Sequence, residues 1–382
     1  MKVLSGKTIF LLSPQPWGLM HVSKHHYAIE LVKHGNTVYF INPPDDTTNG
    51  VKIDAIQAYP GLKTVSYKPF FPWKLRFHVR WLFDLLMQQQ VKLIRKTIGA
   101  KPDLVWCFDP NTFTNLKWFK GRINIYHPVD PITRKDQVNV AHSADILFSV
   151  SQKILSAFNL IPIPKYFINH GLGKDFEEQA KLNLAKTDFP KPNGKLKVGY
   201  VGNLLRKPID RPLFLKIMES NKNLEFHLWG PYELQKSNLS GNNDLETLEF
   251  IEKLKSFPHV ILKGVRSPAQ LAIEIQEMDL FFLTYQLIPI ESDRSNAHKL
   301  IEYISTGKPV LSIDIETYRS LGLIEMTPEN DDMKMLELFD SITLNNEFTT
   351  ESEIRRKRIL YALDNTMEKQ VKRIDEYLVS IK

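Results

Sequence analysis

The fold of this chain is decided by one stretch of sequence, which reads Ser295-Asn296-Ala297-His298-Lys299-Leu300-Ile301-Glu302-Tyr303-Ile304-Ser305-Thr306-Gly307-Lys308-Pro309-Val310-Leu311-Ser312. Its apolar residues recur at helical spacing as far as Gly307, and a glycine commonly ends a helix. Ser295 or Asn296 is placed to cap the start of that helix. The apolar run after Pro309 predicts a buried strand. A helix that leads directly into a buried strand is typical of the α/β class.

The start of this predicted helix is a candidate phosphate site. A helix N-terminus exposes unpaired backbone N–H groups and the positive end of the helix dipole. Lys299 lies in the first turn and would add a point charge for a diphosphate. Glu302 lies one turn further on the same face, where it could accept hydrogen bonds from sugar or ribose hydroxyls. The alternative is a solvent-exposed Lys–Glu pair on a packing helix, which spacing alone favours because such pairs are common.

The stretch resembles the donor-site helix of the GT-B glycosyltransferases of the large, retaining group 1 family, whose pattern is Lys-x-x-Glu-Tyr-x-x-x-Gly-Lys-Pro-Val. This chain matches that pattern at Lys299, Glu302, Tyr303, Gly307, Lys308, Pro309 and Val310. The resemblance implies that Lys299 contacts the donor phosphate and that Glu302 holds the nucleotide ribose.

Two departures from the family pattern concern the donor sugar. Many members carry a second Glu eight positions before Glu302, and this chain has Arg294 there. The usual Pro-Phe/Tyr-Gly turn is replaced by residues 296–298. The resemblance therefore places Arg294, Asn296 and His298 on the sugar side, and it leaves the sugar and the stereochemical course open.

Length and composition indicate an ordinary globular chain. Its 382 residues, 43% hydrophobic and 24% charged, suggest two domains. The net charge of +7 fits acidic partners such as sugar nucleotides, anionic lipid or nucleic acid. No arginine-rich tail supports nucleic acid. The single cysteine, Cys107, excludes an internal disulfide framework and fits a reducing cytoplasm. No apolar run reaches the length of a membrane span.

The N-terminal region has the pattern of a doubly wound sheet. A strand at 7–12, a helix at about 22–33 and a strand at 37–42 follow one another, without the Gly-x-Gly-x-x-Gly of a dinucleotide-binding turn. The resemblance places the loop after the first strand on the acceptor side, which makes Trp17, Gly18 and His25 acceptor-side candidates. The alternative for the helix start is a solvated polar cap.

Residues 67–81 alternate basic and aromatic side chains and contain no acid. The residues are Lys68, Lys74, Arg76 and Arg80, interleaved with Phe70, Phe71, Trp73, Phe77 and Trp81. This pattern suits a membrane interface, because aromatic rings sit at headgroup depth while cations meet anionic lipid. The alternative is that the aromatics belong to the core and the cations extend past them into solvent.

His127 and Asp130 follow a predicted strand at 124–126, where doubly wound folds bind ligands. The segment resembles the Tyr-x-x-x-Asp segment of related transferases, and either residue could serve as the catalytic base or contact the sugar. The alternative is a turn stabilised by Asp and Pro.

The strand–helix alternation restarts after a polar linker. A predicted strand at 196–201 ends at Gly202, and this loop resembles the family's Gly-x-Leu loop, whose glycine lets backbone approach a diphosphate. Arg206, Lys207 and Arg211 are candidates to neutralise that diphosphate. Residues 264–267 lie where the resemblance puts the nucleobase. The second sheet predicts a ligand in the cleft between two domains.

The predicted architecture is a GT-B fold with two Rossmann-like domains. The acceptor-side domain spans 1–187, the nucleotide-sugar domain spans 195–360, and a helix at 361–382 returns to the first domain. No Asp-x-Asp site at a strand end and no Cys/His cluster is visible, so we expect no metal and no other cofactor.

The resemblance implies a hexosyltransferase-type glycosyltransferase that moves a sugar from a nucleotide diphosphate donor to a glycan or lipid-linked acceptor, in cell-surface polysaccharide or glycolipid synthesis. We expect it in the cytoplasm, with peripheral contact to the inner face of an anionic membrane as an open option. The alternatives are a sugar-nucleotide epimerase or hydrolase of the same fold, and a non-catalytic relic that binds nucleotide or a partner transferase. Arg294 gives the relic some weight.

Overall fold

The computed structural model describes residues 3–186, 194–233, 244–286, 296–329, 331–345 and 352–381. The chain divides into two compact units. One comprises Met1–Asn169 together with Glu368–Lys382, and the other comprises His170–Met367. The predicted domain limits near residues 187 and 360 stay a prediction.

The first unit is built on a sheet of eight strands in the described part of the chain: β1 (Thr8–Leu12), β2 (Thr37–Ile41), β3 (Val51–Ala55), β4 (Leu62–Tyr67), β5 (Leu104–Cys107), β6 (Ile123–Tyr126), β7 (Ile146–Ser149) and β8 (Lys165–Phe167). The strand order is β3-β4-β2-β1-β5-β6-β7-β8, and only the β3–β4 pair is antiparallel. Its helices are α1 (Ser23–Lys33), α2 (Leu75–His78), α3 (Arg80–Ile98), α4 (Lys135–Asn139) and α5 (Gln152–Ser156).

The second unit has six parallel strands among the described residues: β9 (Lys197–Val201), β10 (Glu225–Trp229), β11 (Val260–Gly264), β12 (Leu280–Leu283), β13 (Val310–Ser312) and β14 (Glu325–Met326). Their order is β11-β10-β9-β12-β13-β14. The helices are α6 (Lys174–Leu184), α7 (Arg211–Ser220), α8 (Leu245–Ser256), α9 (Pro268–Glu274), α10 (Lys299–Ser305), α11 (Lys334–Asn345) and α12 (Ser352–Asp364). The predicted α/β class with two doubly wound sheets is confirmed.

The central strands are buried on both faces. Ile9 to Leu12 in β1 and all four residues of β5 and of β12 are buried. Parallel strands covered on both faces therefore have continuous apolar runs, which is why the sequence pattern identifies them. Their carboxyl ends meet at one edge of each sheet, where the loops carry the candidate site residues.

Strands β3 and β4 were not predicted. β3 lies at the edge of the sheet and its residues are half-buried or exposed, with Lys52 and Asp54 pairing at 2.9 Å on its surface. An edge strand of this kind has no continuous apolar run, so its pairing with β4 depends on tertiary structure.

The last helix, α13 (Met367–Ser380), packs in the first unit. The backbone N–H of Leu4 donates to Asp375 Oδ1 at 2.6 Å. The Tyr377 ring stacks on Tyr166 of β8 with centroids 3.9 Å apart. The prediction that the chain crosses back to the first domain is confirmed for α13, while α12 packs on α6 and α10 of the second unit. No helix in the described ranges combines the length and apolar content needed to cross a bilayer.

Candidate functional site

The carboxyl edge of the second sheet brings three glycines together. Gly202 follows β9, Gly230 follows β10 and Gly264 ends β11. The N–H of Gly202 donates to the Trp229 carbonyl at 2.8 Å, and the N–H of Gly230 donates to the Gly264 carbonyl at 2.9 Å. Gly230 has φ +130°, and a Cβ there would collide with the carbonyl of Gly202. The floor of this site is therefore bare backbone.

Lys299 begins α10 and its ammonium lies against this floor. Nζ donates to the Tyr200 hydroxyl at 3.2 Å and lies 4.4 Å from the Tyr200 ring centroid and 5.1 Å from that of Tyr285. A Cβ on Gly202 would collide with Nζ. The two rings attract the cation without neutralising it. The structure thus brings together Gly202 and Lys299, two residues that the sequence assigned to the donor diphosphate.

Tyr303 fixes α10 to the end of β9. Its hydroxyl accepts from the Val201 N–H at 2.6 Å and donates to the Val201 carbonyl at 3.2 Å. The ring stacks on Phe281 with centroids 4.4 Å apart. Burial raises the pKa of Tyr303 well above its ordinary value, so the hydroxyl keeps the proton that it donates. This contact sets the position of the Gly202 loop relative to Lys299.

Glu302 belongs to a polar cluster beside Lys299. Its Oε1 lies 3.3 Å from His298 Nδ1, and its side chain is largely buried. The His298 ring meets the His170 ring at 5.1 Å, and His170 Nε2 lies 3.0 Å from the Asn296 carbonyl. The structure therefore places Glu302, His298 and Asn296 together. Arg294 lies outside the described residues.

The start of α10 differs from the prediction. The helix begins at Lys299, its N-cap is His298 with φ −50°, and no side-chain cap hydrogen bond is present. Asn296 lies two residues before that cap, and Ser295 lies outside the described residues. The first turn is closed by backbone, because the Leu300 N–H donates to the Ala297 carbonyl at 3.0 Å. A helix of seven residues has a small dipole, so the Lys299 charge is the main attraction for an anion.

The other basic candidates near Gly202 have different positions. Lys207 Nζ lies 3.5 Å from Asp244 Oδ2. Arg211 is buried, with NH1 3.1 Å from Glu246 Oε1 and NH2 donating to Thr247 Oγ1 at 2.7 Å. Arg206 is exposed on the loop. Lys207 and Arg211 therefore contact the start of α8, and of the four basic candidates Lys299 is the one held against Gly202.

In the first unit, His25 braces the loop after β1. Its Nδ1 accepts from the Val22 N–H at 3.1 Å, and Nε2 lies 3.1 Å from the Pro16 carbonyl, to which it donates. Burial lowers the pKa of His25 to about 3, so the ring is neutral. The Trp17 ring lies 5.3 Å from the His25 ring, and the backbone N–H of Trp17 donates to Asn42 Oδ1 at 2.9 Å. Gly18 is half-buried in the same loop.

His127 and Asp130 occupy contrasting environments. His127 is fully buried after β6, where Trp106 Nε1 donates to its Nδ1 at 3.3 Å and the Phe108 ring stacks 4.8 Å away. Burial lowers the pKa of His127 to about 3. An imidazole with so low a pKa is a weak base at neutral pH, which disfavours its use as a general base. Asp130 is exposed. A catalytic role for either residue stays a prediction.

A pocket of about 240 Å³ lies at the carboxyl edge of the first sheet. It is lined by the loops that follow β1, β2, β4 and β5 and by the segment at the start of α2. The lining residues include Pro14, Pro43, Pro69, Trp73, Arg76 and Asp109. The Asp109 carboxylate accepts from the Asn111 N–H at 2.8 Å. Burial raises its pKa and outweighs the hydrogen bonds from Thr112 and Asn111. The prolines and Trp73 provide apolar walls, and Asp109 provides a polar end.

Four residues of these sites were not among the sequence candidates. They are Tyr200, Tyr285, His170 and Asp109, and each lies at or just beyond the end of a strand. That position was the available signal, but tyrosines at strand ends more often belong to the core. Among the residues that the structure describes, no group of three or more His, Cys, Asp or Glu is placed to hold a metal ion.

The fold can be compared with solved structures. A sucrose-phosphate synthase from Thermosynechococcus elongatus matches with a TM-score of 0.70 and 13% identity, over 98% of this chain and 99% of that chain. HepE from Anabaena, in complex with UDP and glucose, matches with a TM-score of 0.66 and 14% identity, over 98% and 100%. A trehalose-phosphate synthase from Burkholderia xenovorans, in complex with glucose-6-phosphate, matches with a TM-score of 0.69 and 11% identity, over 98% and 100%.

No protein-family model matches the sequence, and a search of the curated proteins finds no similar sequence. At identities this low the structural likeness shows the fold alone. It confirms the predicted GT-B fold over nearly the whole chain.

Proposed function

We propose that this GT-B chain is a glycosyltransferase that moves a sugar from a nucleotide diphosphate donor to a glycan or lipid-linked acceptor. The observation that carries the proposal is the Lys299 ammonium, held between two tyrosine rings against the bare backbone of Gly202. The structural neighbours support it, because the Anabaena structure holds UDP and glucose and the Burkholderia xenovorans structure holds glucose-6-phosphate.

The chemistry of transfer fits this arrangement. The bond from the anomeric carbon to the diphosphate oxygen breaks, a bond from that carbon to an acceptor hydroxyl oxygen forms, and the hydroxyl loses its proton. Negative charge grows on the departing diphosphate. Lys299 is already positioned by Tyr200 and Tyr285, so its charge can stabilise that diphosphate with little rearrangement. The assignment uses a charged side chain and backbone, and we propose that no metal or other cofactor is needed.

The polar cluster beside Lys299 suits the rest of the donor. We assign Glu302 to the ribose hydroxyls, because its carboxylate accepts two hydrogen bonds and lies within one helical turn of Lys299. We assign Asn296 and His298 to the sugar side, together with Arg294. Contacts of His298 with Glu302 and His170 hold that ring in place.

The pocket of the first unit suits an acceptor. Its apolar walls can contact a sugar face, and the carboxylate of Asp109 can accept bonds from hydroxyl groups. Trp17 and Gly18 belong to the loop after β1, which also carries Pro14 of the pocket, and His25 in α1 braces that loop. For the acceptor proton we assign Asp130 over His127, because the carboxylate of Asp130 is exposed and His127 is enclosed.

We propose a role in cell-surface polysaccharide or glycolipid synthesis, on the cytoplasmic side of a membrane. The net charge of +7 favours phosphate-bearing substrates and an anionic membrane. The single cysteine, Cys107, is buried, and with one cysteine the chain has no internal disulfide to maintain, which suits a reducing compartment.

The test is turnover with UDP-, GDP- and dTDP-sugars, with and without a mixture of glycan and lipid-linked acceptors. We expect release of the nucleoside diphosphate that depends on the acceptor. Release without an acceptor would show a hydrolase, conversion of the donor sugar without release would show an epimerase, and nucleotide binding without either would show a relic. Each of these three results contradicts the proposal.

A further inference from the structure

The segment that contains α2 and the start of α3 presents large apolar side chains to solvent. Phe70 is 54% exposed, Phe77 61%, Trp81 71% and Leu85 51%. We call these four residues the α2–α3 face. Large apolar side chains are normally more buried than this, and several exposed ones in one segment indicate an interaction surface.

The face has a rigid underside. Phe71, Phe83 and Met87 of the same segment are buried in the core of the first unit. Phe70 meets Phe71 edge-on with centroids 5.2 Å apart, and the Arg76 guanidinium lies 4.4 Å from the Phe77 ring centroid. The exposed rings are therefore held by a packed layer. Some aromatics of residues 67–81 are therefore core, as the second alternative has it, and others face solvent.

The charge around the face is strongly positive. Residues 68–96 contain seven Lys or Arg and one acid, Asp84. Asp84 Oδ1 lies 3.2 Å from Arg80 Nε and accepts from Thr114 Oγ1 at 3.0 Å. Seven cations less one acid give +6, against +7 for the whole chain. Lys68, Lys74 and Lys92 are exposed.

We propose that the α2–α3 face docks on an anionic lipid bilayer. Aromatic rings sit at headgroup depth, and cations beside them are attracted to anionic headgroups. A second copy of this chain is a poorer occupant, because pairing two such faces brings together two segments that are both strongly positive. The docking goes beyond the sugar transfer proposed above and does not depend on it.

Docking would also bring the acceptor pocket close to the membrane. Trp73 and Arg76 line that pocket, and Phe77 is the next residue of the same short helix, α2. An acceptor whose head group is held by a lipid anchor would therefore meet the pocket directly. A glycan free in solution gains nothing from this arrangement.

The test is partition of the purified full chain onto vesicles. At about 0.1 M salt we expect at least tenfold stronger partition onto phosphatidylcholine vesicles with about 30% phosphatidylglycerol than onto phosphatidylcholine alone, and a decrease at about 1 M salt, because the Debye length falls from about 10 to 3 Å. Phe77→Ser with Trp81→Ser, and separately Lys74→Glu with Lys92→Glu, should each reduce that partition about tenfold or more.

Control variants carry apolar-to-Ser and Lys-to-Glu changes at exposed sites elsewhere. Leu160→Ser with Leu245→Ser, and Lys222→Glu with Lys372→Glu, should leave partition within about twofold of the unchanged chain. Equal partition of the face variants and the unchanged chain would overturn the proposal, and so would equal partition onto both vesicle types. Self-association without lipid that Phe77→Ser with Trp81→Ser abolishes would also overturn it and identify an interface between copies.

Discussion

The ammonium of Lys299 is held by the rings of Tyr200 and Tyr285, and this kind of partner matters for an anion site. A ring quadrupole attracts a cation but carries no net charge, so these two ring contacts do not neutralise the ammonium. Lysine side chains otherwise lose considerable rotamer freedom on binding. The contacts with the two tyrosine rings already restrict the Lys299 rotamers before a ligand binds, so binding costs less side-chain entropy.

We therefore expect Lys299→Ala to weaken nucleoside diphosphate binding by about 1.5–3 kcal/mol, the usual contribution of a charged hydrogen bond. Lys207→Ala is the control, because its ammonium is exposed and lies beside Asp244, and we expect a loss below about 1 kcal/mol. Calorimetry with UDP and GDP measures both. Unchanged affinity in Lys299→Ala would contradict the assignment of this residue to the diphosphate.

Two neighbouring glycines should respond differently to the same added methyl group. In Gly202→Ala the new Cβ meets the end of the flexible Lys299 side chain and also the hydroxyl and ring edge of the buried Tyr200, so we expect weak donor binding and a stability loss of about 1 kcal/mol. In Gly230→Ala the new Cβ meets the Gly202 carbonyl at φ +130°, so we expect a loss of stability of at least about 2 kcal/mol.

Urea unfolding measures the stability of both glycine variants, and calorimetry measures their donor affinity. If Gly202→Ala binds nucleotide as tightly as the unchanged chain, the ammonium position at Gly202 is not needed for binding. If Gly230→Ala is as stable as the unchanged chain, the close approach of the two loops is wrong.

Glu302 offers a test of the ribose assignment. Leaving a buried ligand hydroxyl without its partner costs about 1–3 kcal/mol, so Glu302→Ala should weaken donor binding by about this amount, and Glu302→Gln, which keeps an acceptor, by less. Steady-state kinetics with ribo- and 2′-deoxyribonucleotide donors measures the effect. Equal discrimination of the two donors by Glu302→Ala and the unchanged chain would contradict the assignment. Loss of turnover at unchanged donor affinity would instead place Glu302 in the chemistry.

At the scale of elements, the position of α10 depends on the glycine that follows it, Gly307. Gly307 follows the helix with φ +77° and allows the chain to turn into β13. A Cβ at Gly307 would lie 2.6 Å from Arg355 Cγ on α12. The glycine therefore serves two purposes, since it adopts a left-handed conformation and it allows α12 to approach closely.

The two contributions of Gly307 can be separated. Gly322 has a similar φ of +61° with open space around it, so Gly322→Ala measures the conformational cost alone, about 1–2 kcal/mol. We expect Gly307→Ala to cost about 1–3 kcal/mol more, from overpacking against α12. The free energy of unfolding in urea measures the difference. Equal losses in the two variants would show that α12 moves away without cost.

At the scale of the whole molecule, two buried neutral histidines make the first unit sensitive to acid. Burial lowers the pKa of both His25 and His127 to about 3, well below the value of about 6.5 in an unfolded chain. Between these pH values the unfolded state binds more protons, so stability rises with pH. The contribution is fully present above about pH 6.5 and is lost as pH falls toward 3.

From pH 7 to pH 5 each histidine should reduce the free energy of unfolding by about 2 kcal/mol, and both together by about 4 kcal/mol. Hydrogen exchange of the β1 and β5 amides measures this for the first unit. His127→Phe should remove its share of this change, about 2 kcal/mol between pH 7 and pH 5, whatever its own effect on stability. If the pH dependence of the free energy of unfolding is unchanged in that variant, the pKa of His127 is not lowered by folding.

The sequence by itself determined the α/β class, the two doubly wound sheets and the returning helix. These elements are local patterns that periodicity and glycine positions reveal. Lys299, Glu302 and Gly202 became candidates through the resemblance to the group 1 pattern, because spacing alone favoured an ordinary Lys–Glu pair. β3 was missed, since an exposed edge strand is formed by its partner and not by its own residues.

Only the tertiary structure decided which candidates come together. Tyr200 and Lys299 are 99 residues apart in the chain, and their contact depends on how β9 and α10 pack. The same packing directs Lys207 and Arg211 to α8, and burial, which no local pattern measures, gives His25 and His127 their low pKa values. Local propensity fixes the elements, but the charge environment of a side chain depends on neighbours distant in sequence, and those neighbours are known only from the folded chain.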